Sequence, residues 1–250
     1  MSKVLDEIKK RAAALGKTIV LPEGEDKRVV KAASDSVKEG IAKIVLLGND
    51  AEIKADNPDV DLSGVTIIDP LTYEKAEAYA DLLYELRKEK GMTKELAHET
   101  IKKDYTMFGA LMLKAGDVDG MVSGACHSTA NTLRPGLQVI KTAKGTPIVS
   151  AYFLMIAPEC GNKYCEDGCY IYADAGLNQN PTSEQLAYIA QSSAKSAKAI
   201  AGIEPRIAFL SHSTKGSAKH ADVDKVVAAV EKFHEIEPDA LADGELQFDA

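Results

Sequence analysis

The chain has 250 residues, 30 basic and 38 acidic side chains and a formal net charge of −8, with 45% hydrophobic and 27% charged residues. That composition excludes wholesale disorder, and the length sets one to two domains of roughly 150 residues, large enough to bury a core without disulfide staples. The acidic balance argues against nucleic acid as a partner, no run of 18 apolar residues exists to span a membrane, and the absence of Trp with only 6% aromatics weakens a base-stacking or carbohydrate platform. A local basic pocket for a phosphorylated small molecule stays open.

Residues 1–10 are charged and amphipathic with no apolar h-region, so no secretory signal is read and a cytoplasmic location is expected. Residues 17–22 form a short apolar run closed by Pro22 and predict a buried strand. Asp26 caps the next helix, which places Val29, Val30, Ala33 and Val37 on one face and stops at Gly40. Residues 43–48 and 65–70 predict two more buried strands. A long helix follows over 72–90, with Tyr73, Ala76, Ala80, Leu83 and Leu86 as its buried stripe and Gly91 as its end, then two helices over 93–115.

Residues 118–124 predict a strand with a polar, glycine-containing end, and 130–141 a helix interrupted at Arg134-Pro135-Gly136. The second half begins near Thr146 with a long apolar strand over 147–156, paired as a hairpin with 169–174. Thr182 and Gln185 form a capping box before a helix whose face is Leu186, Ile189, Ala190, Ser193, Ala197 and Ile200. A strand over 206–211, a helix marked by Val223, Val226, Val227, Val230 and Phe233, and a strand over 240–248 complete the alternation. Strands alternating with helices predict an α/β fold with parallel sheet covered on both faces.

In such folds ligands bind beyond the carboxyl ends of strands. Three strand ends are chemically loaded. After 118–124 comes Ser123-Gly124-Ala125-Cys126-His127-Ser128-Thr129, with Arg134 following. Small residues, hydroxyls and exposed N–H groups ahead of a helix suit an anion, and Arg134 adds a planar fork that matches phosphate. An ordinary capped loop would look the same. Ser213, Thr214 and Lys215 sit after 206–211 in a second such loop, without Walker A order, so a solvated polar loop is equally open. Asp174 closes the third and reads best as a turn former. Cys126 and His127 are adjacent on a strand end and point apart there, which makes a thiol–imidazole couple awkward. His98 and His234 fall on helix surfaces. Cys160, Cys165 and Cys169 are spaced C-x4-C-x3-C, not the C-x2-C knuckle of zinc sites; a metal there would need Cys126 or a histidine as fourth ligand, and half-buried thiols on a hairpin loop are the plainer reading.

Taken in order, residues 19–26 (IVLPEGED), 84–88 (YELRK), 118–125 (VDGMVSGA), 132–135 (TLRP), 141–145 (KTAKG), 213–219 (STKGSAK) and 243–250 (DGELQFDA) resemble the phosphate acetyltransferase (phosphotransacetylase) family along the whole chain. The resemblance implies two three-layer α/β lobes of the isocitrate/isopropylmalate-dehydrogenase type, here 1–145 and 146–250, with the active site in an interlobe cleft. It implies reversible acetyl transfer between acetyl-CoA and phosphate, giving CoA and acetyl phosphate, by a homodimer that needs no metal and uses CoA as substrate rather than cofactor. Arg87 and Arg134 match arginines that contact CoA or phosphoryl groups. Arg134, Ser123 and His127 are then the catalytic candidates, and Arg87, Gly124, Ser128, Thr129, Ser213, Thr214 and Lys215 the substrate-binding ones. The family continues past this point with a segment that completes the first lobe and carries the Asp regarded as general base, so the 250 residues by themselves are expected to turn over poorly. Phosphate butyryltransferases share much of the pattern. A non-catalytic domain that binds acyl-CoA or acyl phosphate, as found fused to malic enzymes, and a structural module organised by a cysteine-bound metal are the other readings.

Overall fold

The computed structural model describes residues 2–160 and 168–250. After a first helix, Lys3–Leu15 (α1), the β-branched run predicted at the start becomes Thr18–Leu21 (β1). Asp26 accepts the Arg28 N–H and starts Lys27–Lys38 (α2), which buries Val30 and Ala33. Lys43–Leu47 (β2) and Val65–Ile68 (β3) follow, separated by Asp50–Asp56 (α3), a short helix absent from the expected pattern and capped by Asn49. Ala76–Arg87 (α4) continues as a 3-10 turn to Lys90 and ends at Gly91 in the left-handed region, φ 84. Lys94–Lys103 (α5), capped by Thr93, and Tyr105–Ala115 (α6), capped by Asp104, then lead to a two-residue strand, Gly120–Met121 (β4), and to Thr129–Pro135 (α7), which runs on as a π turn to Ile140.

These elements make one of two compact units, Lys9–Lys141. Its sheet is parallel throughout, in the order β3-β2-β1-β4. Strand alternation splits the core in two. Val20, Val45 and Leu47 face a cluster built on α4, α5 and α6, whereas Leu21, Ile44 and Leu46 face one that includes Val30, Ala33 and Ile53. Helices therefore cover both faces, as predicted. The stripe of α4 is Tyr79, Ala80 and Leu83, and α6 is buried almost all round from Thr106 to Met112. Leu83 is fully buried, and truncation to Ala there costs roughly 2–5 kcal/mol.

The other unit comprises Thr142–Ala250 with the N-terminal residues up to Ile8. Tyr152–Ile156 (β5) and Cys169–Ala173 (β6) form the predicted antiparallel hairpin. The strand is shorter than its apolar run because Val149 and Ala151 turn their backbone groups to Asn178 and Asp174. The Thr182–Gln185 capping box makes both its bonds ahead of Ser183–Ser196 (α8). Ile207–Leu210 (β7), Ala221–Ile236 (α9) and Ala242–Leu246 (β8) form a parallel pair with its connecting helix. Ala187, Ala190, Phe209, Val226, Ala229 and Phe233 pack as its core. A groove of about 840 Å3, lined by β6, β7 and one side of α8, lies in this unit. No helix of the described residues is long and apolar enough to cross a membrane.

Candidate active site

Because β4 lies beside β1 in the sheet, the chain leaving β4 meets the chain leaving β1. The residue it meets there is Glu23, 1% exposed. Oε2 of Glu23 accepts the N–H of Gly124 at 2.8 Å and of Ala125 at 2.9 Å; Oε1 accepts the N–H of Cys126 at 3.0 Å and stands 2.7 Å from His127 Nδ1. Two glycines permit this approach. A Cβ at Gly24 would lie 2.3 Å from the Leu47 carbonyl oxygen, and Gly124 takes φ 114 so that successive N–H groups converge. Burial pushes the Glu23 carboxyl up, but the bonds from Ala125, His127, Cys126 and Gly124 outweigh it and bring it down to about 2. Arg28 adds a further tie, donating from Nη2 to the Ala125 carbonyl at 2.6 Å.

This corrects the expectation that the loop's N–H groups await a ligand anion. The three at 124–126 already hold an anion, and it is the protein's own. It also corrects the geometry expected of Cys126 and His127. The extended strand stops at Met121 and the chain curls around Glu23, so Cys126 Sγ and His127 Nδ1 lie 3.6 Å apart instead of pointing away. The thiol is not activated by this. Burial and the Glu25 and Glu23 carboxylates, 3.4 and 3.5 Å from Sγ, push it up to about 12, the wrong direction for a nucleophile. With Glu23 ionised, the carboxylate accepts and His127 Nδ1 donates across this contact.

The remaining candidates of this unit fall as follows. Ser123 has a buried hydroxyl with no hydrogen-bond partner among the described residues. Ser128 Oγ caps α7 through the Asn131 N–H, so this hydroxyl has a structural role, and Thr129 is the exposed first residue of that helix. Arg134 ends α7 half-exposed and donates to Asp104 Oδ2 at 3.0 Å, leaving most of its five N–H groups for another partner. Asp104 holds this arginine and caps α6 at once. Arg87 ends α4, and among the described residues its side chain makes no hydrogen bond or ion pair.

In the second unit, the loop after β7 has the same plan with different donors. Glu245, on the neighbouring β8 and 3% exposed, accepts the Gly216 N–H at 2.7 Å and the Ser213 hydroxyl at 2.9 Å. Those bonds, the Gly216 N–H foremost, hold its carboxyl below the usual range. Ser213 Oγ in turn accepts the Ala218 N–H, and Thr214 exchanges bonds with Ser217 and Gln247. Lys215 takes φ 48, a strained value for a residue with a side chain, and its ammonium is engaged by Asp243 and the Gly244 carbonyl. The Lys215 ammonium is thus already paired within the loop's own surroundings.

Asp174 is the turn former predicted: its carboxylate accepts the N–H groups of Gly176, Leu177 and Asn178. His98 pairs with Glu77 on exposed helices, and His234 lies in the last turn of α9. Cys169 is buried at the start of β6, while Cys165 and the Cys160 side chain lie outside the described residues. Sequence reasoning missed Glu23 and Glu245 as site residues. Each follows or ends a strand, but their signal is a strand pairing between residues far apart in the chain.

The chain is similar to known proteins over nearly its whole length. A model of the phosphate acetyl/butaryl transferase family matches residues 3–250. A phosphate acetyltransferase of Acetivibrio thermocellus is 52% identical over 246 residues, covering 98% of this chain and 73% of the relative. One from Escherichia coli is 49% identical over 249 residues, 98% of this chain and 33% of that longer protein. Among solved structures, a phosphotransacetylase from Streptococcus pyogenes superposes with a TM-score of 0.90 at 40% identity, covering 100% of this chain and 74% of its own. A branched-chain phosphotransacylase from Enterococcus faecalis, 14% identical with a TM-score of 0.58, shares the fold. The chain belongs to the phosphate acetyl/butaryl transferase family.

Proposed function

We propose that this chain is a phosphate acetyltransferase, interconverting acetyl-CoA plus phosphate with CoA plus acetyl phosphate. The observation that carries this is about half-identity, over nearly the whole chain, to proteins named for that activity. In the direction of thioester synthesis, the CoA thiol loses its proton, the thiolate attacks the acetyl carbonyl of acetyl phosphate, and the carbon–oxygen bond breaks to release phosphate. The reaction needs a proton acceptor, donors for the developing oxyanion and cationic support for the phosphate.

The loop geometry narrows who supplies these. With the 124–126 N–H groups held by Glu23, anion binding falls to guanidinium groups: Arg134 for the phosphoryl group and Arg87 for a CoA phosphate. Ser123, whose hydroxyl has no described partner, is the donor for the carbonyl oxygen. His127 presents Nε2 to the thiol proton, with Glu23 as the positioning residue behind it. Gly124, Ser128 and Thr129 belong to the loop the substrates approach; in the second unit Thr214 and Lys215 stay as substrate-binding candidates, with the buried Ser213 beneath them bonded to Glu245. CoA is a substrate in this reading and no cofactor enters the chemistry; a cytoplasmic homodimer accords with the resemblance. The test is release of CoA thiol from acetyl-CoA on addition of phosphate, compared with butyryl-CoA. In the protein that carries the family's downstream segment, faster release from the acetyl thioester is expected; a preference for butyryl-CoA, or CoA binding without turnover there, overturns the reading.

A further inference from the structure

The loop that curls around Glu23 brings three different ligand types to one point. Glu23 Oε1, Cys126 Sγ and His127 Nδ1 all lie within 4.8 Å of one another. Sγ is 3.6 Å from Nδ1, 3.5 Å from Glu23 Oε1 and 3.4 Å from Glu25 Oε1. With zinc–sulfur bonds of about 2.3 Å and zinc–nitrogen or –oxygen bonds of about 2.0–2.2 Å, a tetrahedron has sulfur-to-ligand edges of roughly 3.5–3.6 Å. The edges from Sγ to Nδ1 and to Glu23 Oε1 are therefore already close to tetrahedral length. The edge between Nδ1 and Glu23 Oε1 is 2.7 Å, a hydrogen bond, against about 3.3 Å in such a site.

We propose that Glu23, Cys126 and His127, with solvent in the fourth position, form a binding site for a divalent cation of the zinc class. The carboxylate of Glu23 has about four lone-pair positions. Three accept the backbone N–H groups of 124–126, which orient it as an outer shell should, and the cation takes the fourth in place of the imidazole N–H. On binding, the thiol gives its proton to solvent and the imidazole hydrogen moves from Nδ1 to Nε2, so the neutral ring ligates through Nδ1. Glu25 and Cys126 are exposed, which gives the ion a route from solvent. A thiolate–imidazole–carboxylate set selects zinc or cobalt over magnesium or calcium, which take oxygen ligands. The bound ion is no cofactor for acyl transfer, because it displaces the contact that positions His127.

The test is titration of the purified full-length protein with Co2+ under reducing, anaerobic conditions, with Zn2+ affinity measured by competition against a chromophoric chelator. The expected result is a tetrahedral cobalt spectrum with a thiolate-to-cobalt charge-transfer band. Cys126→Ser should abolish that band, and Cys126→Ser and His127→Gln should each weaken Zn2+ at least about tenfold, the effect typical even of an outer-shell partner. Circular dichroism and melting temperature confirm that each variant is folded. Unchanged Zn2+ affinity in both Cys126→Ser and His127→Gln overturns the proposal. A thiolate band that survives Cys126→Ser and disappears in Cys160→Ser/Cys165→Ser overturns it too, as does equal affinity for Mg2+.

Discussion

The loops after β4 and after β7 share a plan and differ in how far it is carried. In each, a buried glutamate from the neighbouring strand takes the loop's donors. Glu23 takes three backbone N–H groups and an imidazole; Glu245 takes one backbone N–H and a hydroxyl, and the N–H groups of Ser213, Thr214 and Ala218 bond to that loop's own serine hydroxyls. The first loop is therefore built around a fixed negative charge, the second around a hydroxyl network. A loop of small residues and N–H groups beside a helix is not by itself an anion site. The acceptor can come from within the chain, and the cation beside the loop then decides what binds.

Removing the two glutamates should expose the difference most strongly. Lowering Glu23 from its ordinary 4.5 to about 2 corresponds to about 3 kcal/mol of stability at neutral pH. Glu23→Gln should lose stability on that order in urea denaturation, because its amide NH2 faces backbone donors, and Glu245→Gln clearly less. The sign with pH follows from the depressed carboxyl. The contribution of Glu23 is complete above about pH 4.5 and fades as pH falls towards 2, so the gap between wild type and Glu23→Gln should close over that window. Equal losses for the two variants would break the comparison.

Arg134→Lys comes next in size. It keeps the charge beside Asp104 but loses the planar fork, and phosphate KM should rise or kcat fall by about tenfold or more. Unchanged kinetics would remove Arg134 from the site. Arg87→Gln should weaken CoA with little change in melting temperature. If its role were only to offset the α4 dipole, worth about 0.3–1 kcal/mol, stability would fall and CoA affinity would hold. The smallest effect is expected in the second loop. Lys215→Gly relieves φ 48 while losing the Asp243 pair, so stability should shift by less than about 1 kcal/mol. A larger loss would show that Lys215 organises its loop.

Most elements were legible because their signals are local: the Asp26 cap, the Gly91 stop, the Thr182–Gln185 box and the apolar runs of β1, β2 and β3. The departures have non-local causes. The strand expected over 118–124 shrinks to β4 because Glu23, a hundred residues earlier, draws the chain out of line. The strand expected from 147 begins at Tyr152 because Asp174 and Asn178 hold the preceding backbone. Among the candidate residues, Arg134 and His127 could be picked out by residue type and position. Their partners, Asp104 and Glu23, could not, because only sheet order and helix packing bring them near.

Exchange of labelled inorganic phosphate into acetyl phosphate tests the account most directly, since it asks at once whether acetyl transfer occurs and which thiol carries it. With Cys126 protonated at neutral pH and CoA as the acceptor, exchange should require CoA, and acetyl phosphate alone should leave no acetyl group on the protein. Exchange without CoA, with acetyl recovered on Cys126, would contradict the account, and so would the absence of CoA-dependent exchange in the protein that carries the family's downstream segment.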